Sequence, residues 1–311
     1  MELPYTHSVM FHHFHDDRHP VGQGSLSAGE FEAMIDWLLT PYRILNADEY
    51  TEKLEEKTLE NTDICLSFDD ALRCQFDIAL PILEKRKIKA FFFVYSSPLL
   101  GDPDPLEVYR YFRTTSFPTV DDFYNDFFSE VKFEHPSEYE AAALMYDDKI
   151  YLSEFPFYTS KDKWFRYLRD MVLGANKYNS LMKSLMAKHE FFAEQVLGKL
   201  WINSSQVKKI YELGHVVGLH SHSHPTTIHK LKREDQRLEY ETNYKCLKSI
   251  LGASPIAMSH PCGNYNDDTL DILTELGIRV GFRSNNSIKE IRSNLEIPRE
   301  DHSNIFRAMK S

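Results

Sequence analysis

Three short stretches of the chain combine residue types that do chemistry. Ser67-Phe68-Asp69-Asp70 ends an apolar run in two adjacent carboxylates. Two like charges at one place are costly unless a cation sits between them. Gly218-Leu219-His220-Ser221-His222-Ser223-His224-Pro225 carries three histidines at alternate positions. Imidazoles at i and i+4 converge on one ion if the segment turns helically, whereas an extended segment puts all three on one face. Ser259-His260-Pro261-Cys262-Gly263-Asn264-Tyr265-Asn266 has the Pro and Gly of a tight turn, able to aim backbone N–H groups at a developing oxyanion. Taken singly, each also fits an ordinary role: a helix-capping Asp, a surface histidine loop, a βα connection. Taken together, one Asp and two His make a facial set of ligands for a divalent metal, with positions left open for water and substrate. The second Asp is then available to take a proton, which is the layout of a metal-assisted hydrolase.

The elements around these stretches must bring them together. Ser8 to Phe11, Tyr42 to Leu45, Ile64 to Phe68, Ile88 to Tyr95, His215 to His220, Ile256 to Ser259 and Ile278 to Phe282 read as strands. Leu26 to Leu39, Gln75 to Lys87, Ser205 to Leu213, Arg233 to Ile250 and Asp267 to Leu276 have helical spacing between them. This alternation predicts a parallel α/β sheet or barrel, with all three stretches at the C-terminal ends of strands, where such folds carry their sites. Residues 96–201 break the pattern. They are rich in aromatics, among them Tyr109, Tyr111, Phe112, Phe127, Phe128, Phe155, Phe157, Trp164 and Phe165. We expect an inserted, mainly helical cap with its own core, between barrel segments 1–95 and 202–311; some of its aromatics could line a sugar-binding groove.

Composition narrows the function. The chain has 311 residues, 42% hydrophobic and 27% charged, an ordinary globular balance. Its 36 basic against 47 acidic residues give a net charge of −11. Without a basic block it is a poor nucleic-acid binder and has no polybasic hold on anionic lipid. No run approaches the roughly 18 apolar residues of a membrane span, so membrane insertion is not expected. Cys65, Cys74, Cys246 and Cys262 form no CxxC pair. The start lacks the pattern of a secretory signal. A cytoplasmic protein with reduced thiols is the expectation.

The three stretches, in this order, resemble the motifs of the polysaccharide deacetylases, the NodB-like carbohydrate esterases of family 4. Ser67-Phe68-Asp69-Asp70 is similar to their T-F-D-D, and His220 to Pro225 to their H-[ST]-x-x-H-P, preceded by a G-H-x-x-G at Gly214 to Gly218. Ser259 to Gly263 falls on their R-x-P-Y-G, and Phe11-His12-His13 resembles a Y-H segment of their first strand. The resemblance covers about two thirds of the chain and leaves out the insert. It implies a distorted (β/α)7 barrel. It implies Asp69 as catalytic base, Asp70, His220 and His224 as ligands of a divalent metal, usually zinc, and the Cys262 N–H as an oxyanion donor. His222 occupies a variable position and reads as packing. Two features depart from the pattern. The motif Arg is Ser259 here, and Arg299, in an I-P-R segment, is a candidate to replace its charge. The general-acid His has no clear match: His302 is the nearest late histidine, with His12, His13 and His260 as alternatives.

The expected activity is therefore zinc-dependent removal of an N-acetyl group from an amino sugar or glycan, on an intermediate of surface-polysaccharide synthesis. Two other readings remain open: the same fold acting on another C–N bond, as a deformylase or ring amidase, and a non-catalytic carbohydrate-binding relic. No bound organic cofactor is expected, and the sequence does not indicate an oligomeric state.

Overall fold

The computed structural model describes residues 8–103, 105–152, 158–284 and 291–310. The chain divides into two compact units, Met1–Asp104 with Gly198–Ser311, and Pro105–Leu197.

The first unit is a parallel sheet curled into a barrel. Its strands are β1 (Ser8–Phe11), β2 (Arg43–Ile44), β3 (Asp63–Phe68), β4 (Phe91–Val94), β5 (Val216–Leu219), β6 (Ala257–Ser259), β7 (Val280–Phe282) and β8 (Glu300–Asp301). They lie in the order β7-β6-β5-β4-β3-β1-β8, with β2 pairing alongside β3. The seven strands of that path form the distorted barrel that the resemblance implies. β3 and β4 are buried along their whole length, as parallel strands between two apolar layers must be. Period-two alternation sends Phe68 and Phe92, stacked with centroids 4.7 Å apart, to one face. Cys65, Phe91, Phe93, Ala257, Val280 and Phe282 go to the other, where Tyr50 of the helix Ala47–Glu55 joins them.

One short stretch spans the gap between β7 and β1. Ile297 bridges Phe282 in parallel, and four residues later Asp301 pairs with Met10 of β1. Arg299 lies between these two contacts. At β5, Gly218 is needed for close approach: a Cβ there would stand 2.5 Å from the Ala257 carbonyl oxygen. Among the described residues, no helix is long and apolar enough to cross a membrane.

The second unit is helical. Its longer helices are Pro105–Thr115, Val120–Glu134, Pro136–Met145, Ser160–Tyr167 and Gly174–Lys188. Thr119 and Thr159 open two of them with reciprocal capping boxes. Four of the nine aromatics singled out in the sequence are buried in its core: Phe112, Phe127 and Phe165 pack around Phe123, and Tyr109 meets Tyr178. Phe155 and Phe157 lie outside the described residues. The unit is narrower than the sequence suggests. Trp201 pairs with Leu72 and donates its indole N–H to Tyr95 Oη, and Ser97 donates to the His222 carbonyl, so both flanks of 96–201 belong to the barrel unit.

Candidate metal centre and its surroundings

β3 carries Asp69 and Asp70 off its C-terminal end. Asp69 continues the ladder, its N–H donating to the Phe11 carbonyl, and Gln75 Nε2 clamps the Asp69 and His12 carbonyls together. The chain then turns sharply. Asp70 has φ 77 and Ala71 φ 54, left-handed values that L residues rarely adopt. This turn lets two adjacent carboxylates face different partners. Ser221, His224 and Cys262 share the left-handed conformation, with φ 62, 54 and 53. Strain of this kind gathers where a site needs it.

Asp70, His220 and His224 offer one ligand atom each, all within 4.8 Å of one another. Nε2 of His220 lies 3.2 Å from Asp70 Oδ1, and Nε2 of His224 lies 3.5 Å from it. His220 donates its Nδ1–H to the Ser259 carbonyl at 2.9 Å, which leaves Nε2 toward the cluster. Asp70 Oδ1 is buried and takes no hydrogen bond. A carboxylate oxygen without a hydrogen bond, facing two imidazole nitrogens, fits a small divalent cation. The i and i+4 histidines thus converge. His222 does not join them: its Nδ1 lies 2.9 Å from Ser96 Oγ.

Asp69 belongs to a separate, deeper network. Arg299, fully buried, forms a two-pronged fork on it, Nη1 to Oδ1 at 2.8 Å and Nη2 to Oδ2 at 2.7 Å. Ser259 stands where the motif Arg would be. Its hydroxyl donates to Asp69 Oδ2 at 3.1 Å and accepts from Arg299 Nη2 at 2.7 Å. A second hydroxyl, on Ser67, accepts from Nη1 at 3.2 Å, and the Arg283 carbonyl accepts Nε–H at 2.6 Å. A small residue at 259 leaves the space that the longer side chain from 299 fills. Burial opposes ionisation of Asp69, yet the Arg299 and His220 charges outweigh it and hold the carboxyl below its ordinary range. Asp70 is likewise held low against burial by the histidines around it. Burial drives His224 down to about 4. His220 is pulled the other way, since Asp69 and Asp70 outweigh its burial.

The candidate acids separate clearly. His302 does not reach the cluster. Its ring stacks on Phe11, 5.5 Å between centroids, with Nδ1 3.2 Å from the Met10 carbonyl oxygen and Nε2 2.7 Å from that of Gly24. His260 is fully buried, donates Nε2–H to the Leu295 carbonyl, and is driven down to about 4 by burial. His12, at the end of β1, is partly exposed and places Nε2 3.8 Å from Asp70 Oδ2. Cys262, itself exposed, sits on the turn Pro261–Gly263, three residues beyond Ser259. Asn243, Glu239 and Gln75, which tie the backbone of the site, went unseen in the sequence, because each acts through contacts that no local motif encodes.

Residues 173–281, which include the second and third motifs, match the model of the polysaccharide deacetylase family. The resemblance read from the motifs is borne out by that match. No curated protein matches the chain. IcaB from Ammonifex degensii superposes with a TM-score of 0.57 at 16% identity, over 94% of this chain and 90% of that one. The deacetylase PplD of Streptococcus pyogenes, in complex with acetate, gives 0.54 at 16% identity, over 95% and 91%. A de-N-acetylase from Aggregatibacter actinomycetemcomitans gives 0.54 at 14%, over 94% and 93%. At these identities the structures are similar to this chain in fold.

Proposed function

We propose that this chain works as the polysaccharide deacetylase its motifs and family match indicate: a metal-dependent hydrolase that removes N-acetyl groups from an amino-sugar glycan, as a step in surface-polysaccharide synthesis. One observation carries the reading. An ionised, buried Asp69 forked by Arg299 stands beside a carboxylate–imidazole–imidazole cluster, with its Oδ2 3.9 Å from His220 Nε2. A general base and a cation site in contact are what amide hydrolysis needs.

Asp70, His220 and His224 would hold the ion, zinc by the resemblance. When bound, it supplies Lewis acidity toward the amide carbonyl and toward water. The chain's own groups move the protons. Asp69, which Arg299 keeps ionised, takes the proton of the attacking water. Arg299 and Ser259 hold the Asp69 carboxylate in one orientation throughout. The Cys262 N–H is the donor we assign to the amide oxygen as it gains charge. His12 gives a proton to the departing nitrogen, so that the C–N bond breaks to acetate and a free amine. We assign this role to His12 because it combines partial exposure with a place beside Asp70.

The test is product analysis with a panel of amides, N-acetylglucosamine oligomers first. Purified protein with added zinc should release acetate, and a chelator should stop it. Release of formate or ammonia instead would move the activity to another C–N bond. Binding of the oligomers without any hydrolysis, in metal-replete protein, would sink the enzymatic reading.

A further inference from the structure

Two polar side chains of the helix Arg233–Leu251, one turn apart on one face, hold the backbone that carries His220 and His224. Asn243 is fully buried. Its Oδ1 accepts the His220 N–H at 3.0 Å, and its Nδ2 donates to the Val94 carbonyl at 2.9 Å, so one amide ties the ends of β4 and β5. Glu239 grips the loop that follows. Its Oε2 accepts the N–H groups of His222 and Ser223 at 2.9 and 2.8 Å, and its Oε1 accepts the Ser223 hydroxyl at 2.7 Å.

The loop needs such a hold. Ser221 and His224 are left-handed, a conformation that non-glycine residues keep only when their surroundings enforce it. Within the loop, the His224 N–H donates to Ser221 Oγ at 3.1 Å. From the other side, Ser97 donates to the His222 carbonyl at 2.9 Å, and Ser96 Oγ meets the His222 ring. Glu239 is the one charged group among these contacts. It fixes two of the four peptide units that separate the histidine ligands, and so sets where the second stands relative to the first.

We propose that Glu239 is a positioning residue for the metal: it holds residues 221–224 in the shape that aims His224 at Asp70 and His220. The inference rests on the reading of Asp70, His220 and His224 as ligands. Partners that orient ligands in this way change metal affinity by about 10- to 100-fold when removed. Asn243 serves His220 similarly, but its loss would also untie the ends of β4 and β5, so Glu239 is the informative half of the pair.

The experiment titrates zinc into metal-free wild type, Glu239→Gln, Glu239→Ala and Ser223→Ala against a chelating dye, and records the thermal unfolding of each without metal. In Glu239→Ala the zinc Kd should weaken by about 10- to 100-fold. Glu239→Gln, which keeps the shape and one acceptor oxygen, should weaken it less, and Ser223→Ala least. Metal-free unfolding of Glu239→Gln should match wild type, and kcat at saturating zinc should return to within a few-fold. A wild-type Kd in Glu239→Ala overturns the proposal. Should that variant fail to fold, a wild-type Kd in both Glu239→Gln and Ser223→Ala overturns it equally. If wild type itself takes up no zinc, the ligand reading has failed, and the same titration shows this before any variant is compared.

Discussion

Arg299 meets Asp69 across 230 residues of sequence, with both guanidinium prongs on both carboxylate oxygens and the Ser259 hydroxyl joining the two side chains. A buried charge pair of this kind is safe only while both members are present. Replacing Arg299 by Ala strands the carboxylate and should cost about 3–5 kcal/mol of stability in urea unfolding. Arg299→Lys keeps a charge but loses the fork. Arg299 lowers the Asp69 pKa, so weakening it lets that pKa rise. A base must be ionised to act, so the acid limb of kcat against pH should move upward in Arg299→Lys. We expect kcat to fall by about 10²-fold, the lower end of what a positioned base contributes. A Lys variant with the wild-type profile would show that the fork does not serve the base.

Asp69 and Asp70 are neighbours in sequence with different jobs, and the difference can be measured. Asp70→Ala removes one of three clustered ligand groups and should abolish zinc binding along with turnover. Asp69→Asn leaves all three, so it should retain zinc while kcat drops by about 10²- to 10⁴-fold. The check is metal analysis after gel filtration beside an acetate assay. Equal loss of metal from both variants would merge the two roles.

Much of this site was legible in the sequence, because strand ends are. A β-type run that stops at Asp69-Asp70, another read as ending at His220, and a third that stops before the Pro261 turn must present their last residues at one rim of a parallel sheet. The Arg299 substitution could also be seen, since a missing motif charge leaves a buried Asp in need of a partner. What could not be read is long-range polar matching. Nothing near Glu239 or Asn243 says that a helix face ends on the backbone of the histidine loop. Nothing near His302 says that its ring nitrogens meet two carbonyls instead of the cluster. Proximity in sequence to Arg299 suggested His302, but three residues on the chain has entered the helix His302–Met309, which lays the ring on Phe11 instead.

His12 and His302 should therefore fail differently. His12→Gln should retain zinc and the wild-type unfolding midpoint while kcat falls by about 10²-fold or more. His302→Gln removes a buried ring stacked on Phe11 and bonded to two segments, so it should lower stability by about 1–3 kcal/mol and leave kcat per folded molecule nearly unchanged. Kinetics on both variants, normalised to active sites by zinc content, decide the matter. A catalytic loss confined to His302→Gln would reverse the assignment.

His215 supplies a test of pH-dependent stability away from the metal ligands. Its buried ring uses both nitrogens in the neutral form: Nδ1 accepts the Ala90 N–H at 3.0 Å, and Nε2–H donates to Glu84 Oε1 at 2.9 Å. Burial drives its pKa down to about 4. In the unfolded chain an imidazole titrates near 6.5. The folded state thus favours the neutral ring, and this contribution is fully present above the unfolded value. As pH falls below 6.5, the unfolded chain takes a proton that the folded one refuses, and stability drops until the folded pKa is reached. At about 1.36 kcal/mol per pH unit, the full effect between roughly pH 6.5 and 4 is about 3 kcal/mol. Wild type and His215→Gln should be unfolded in urea across that range. Their difference in stability, which cancels the titration of groups that do not touch His215, should shrink steadily as the pH is lowered. A difference that stays constant from pH 7 to 4 would mean that His215 carries the same charge in both states.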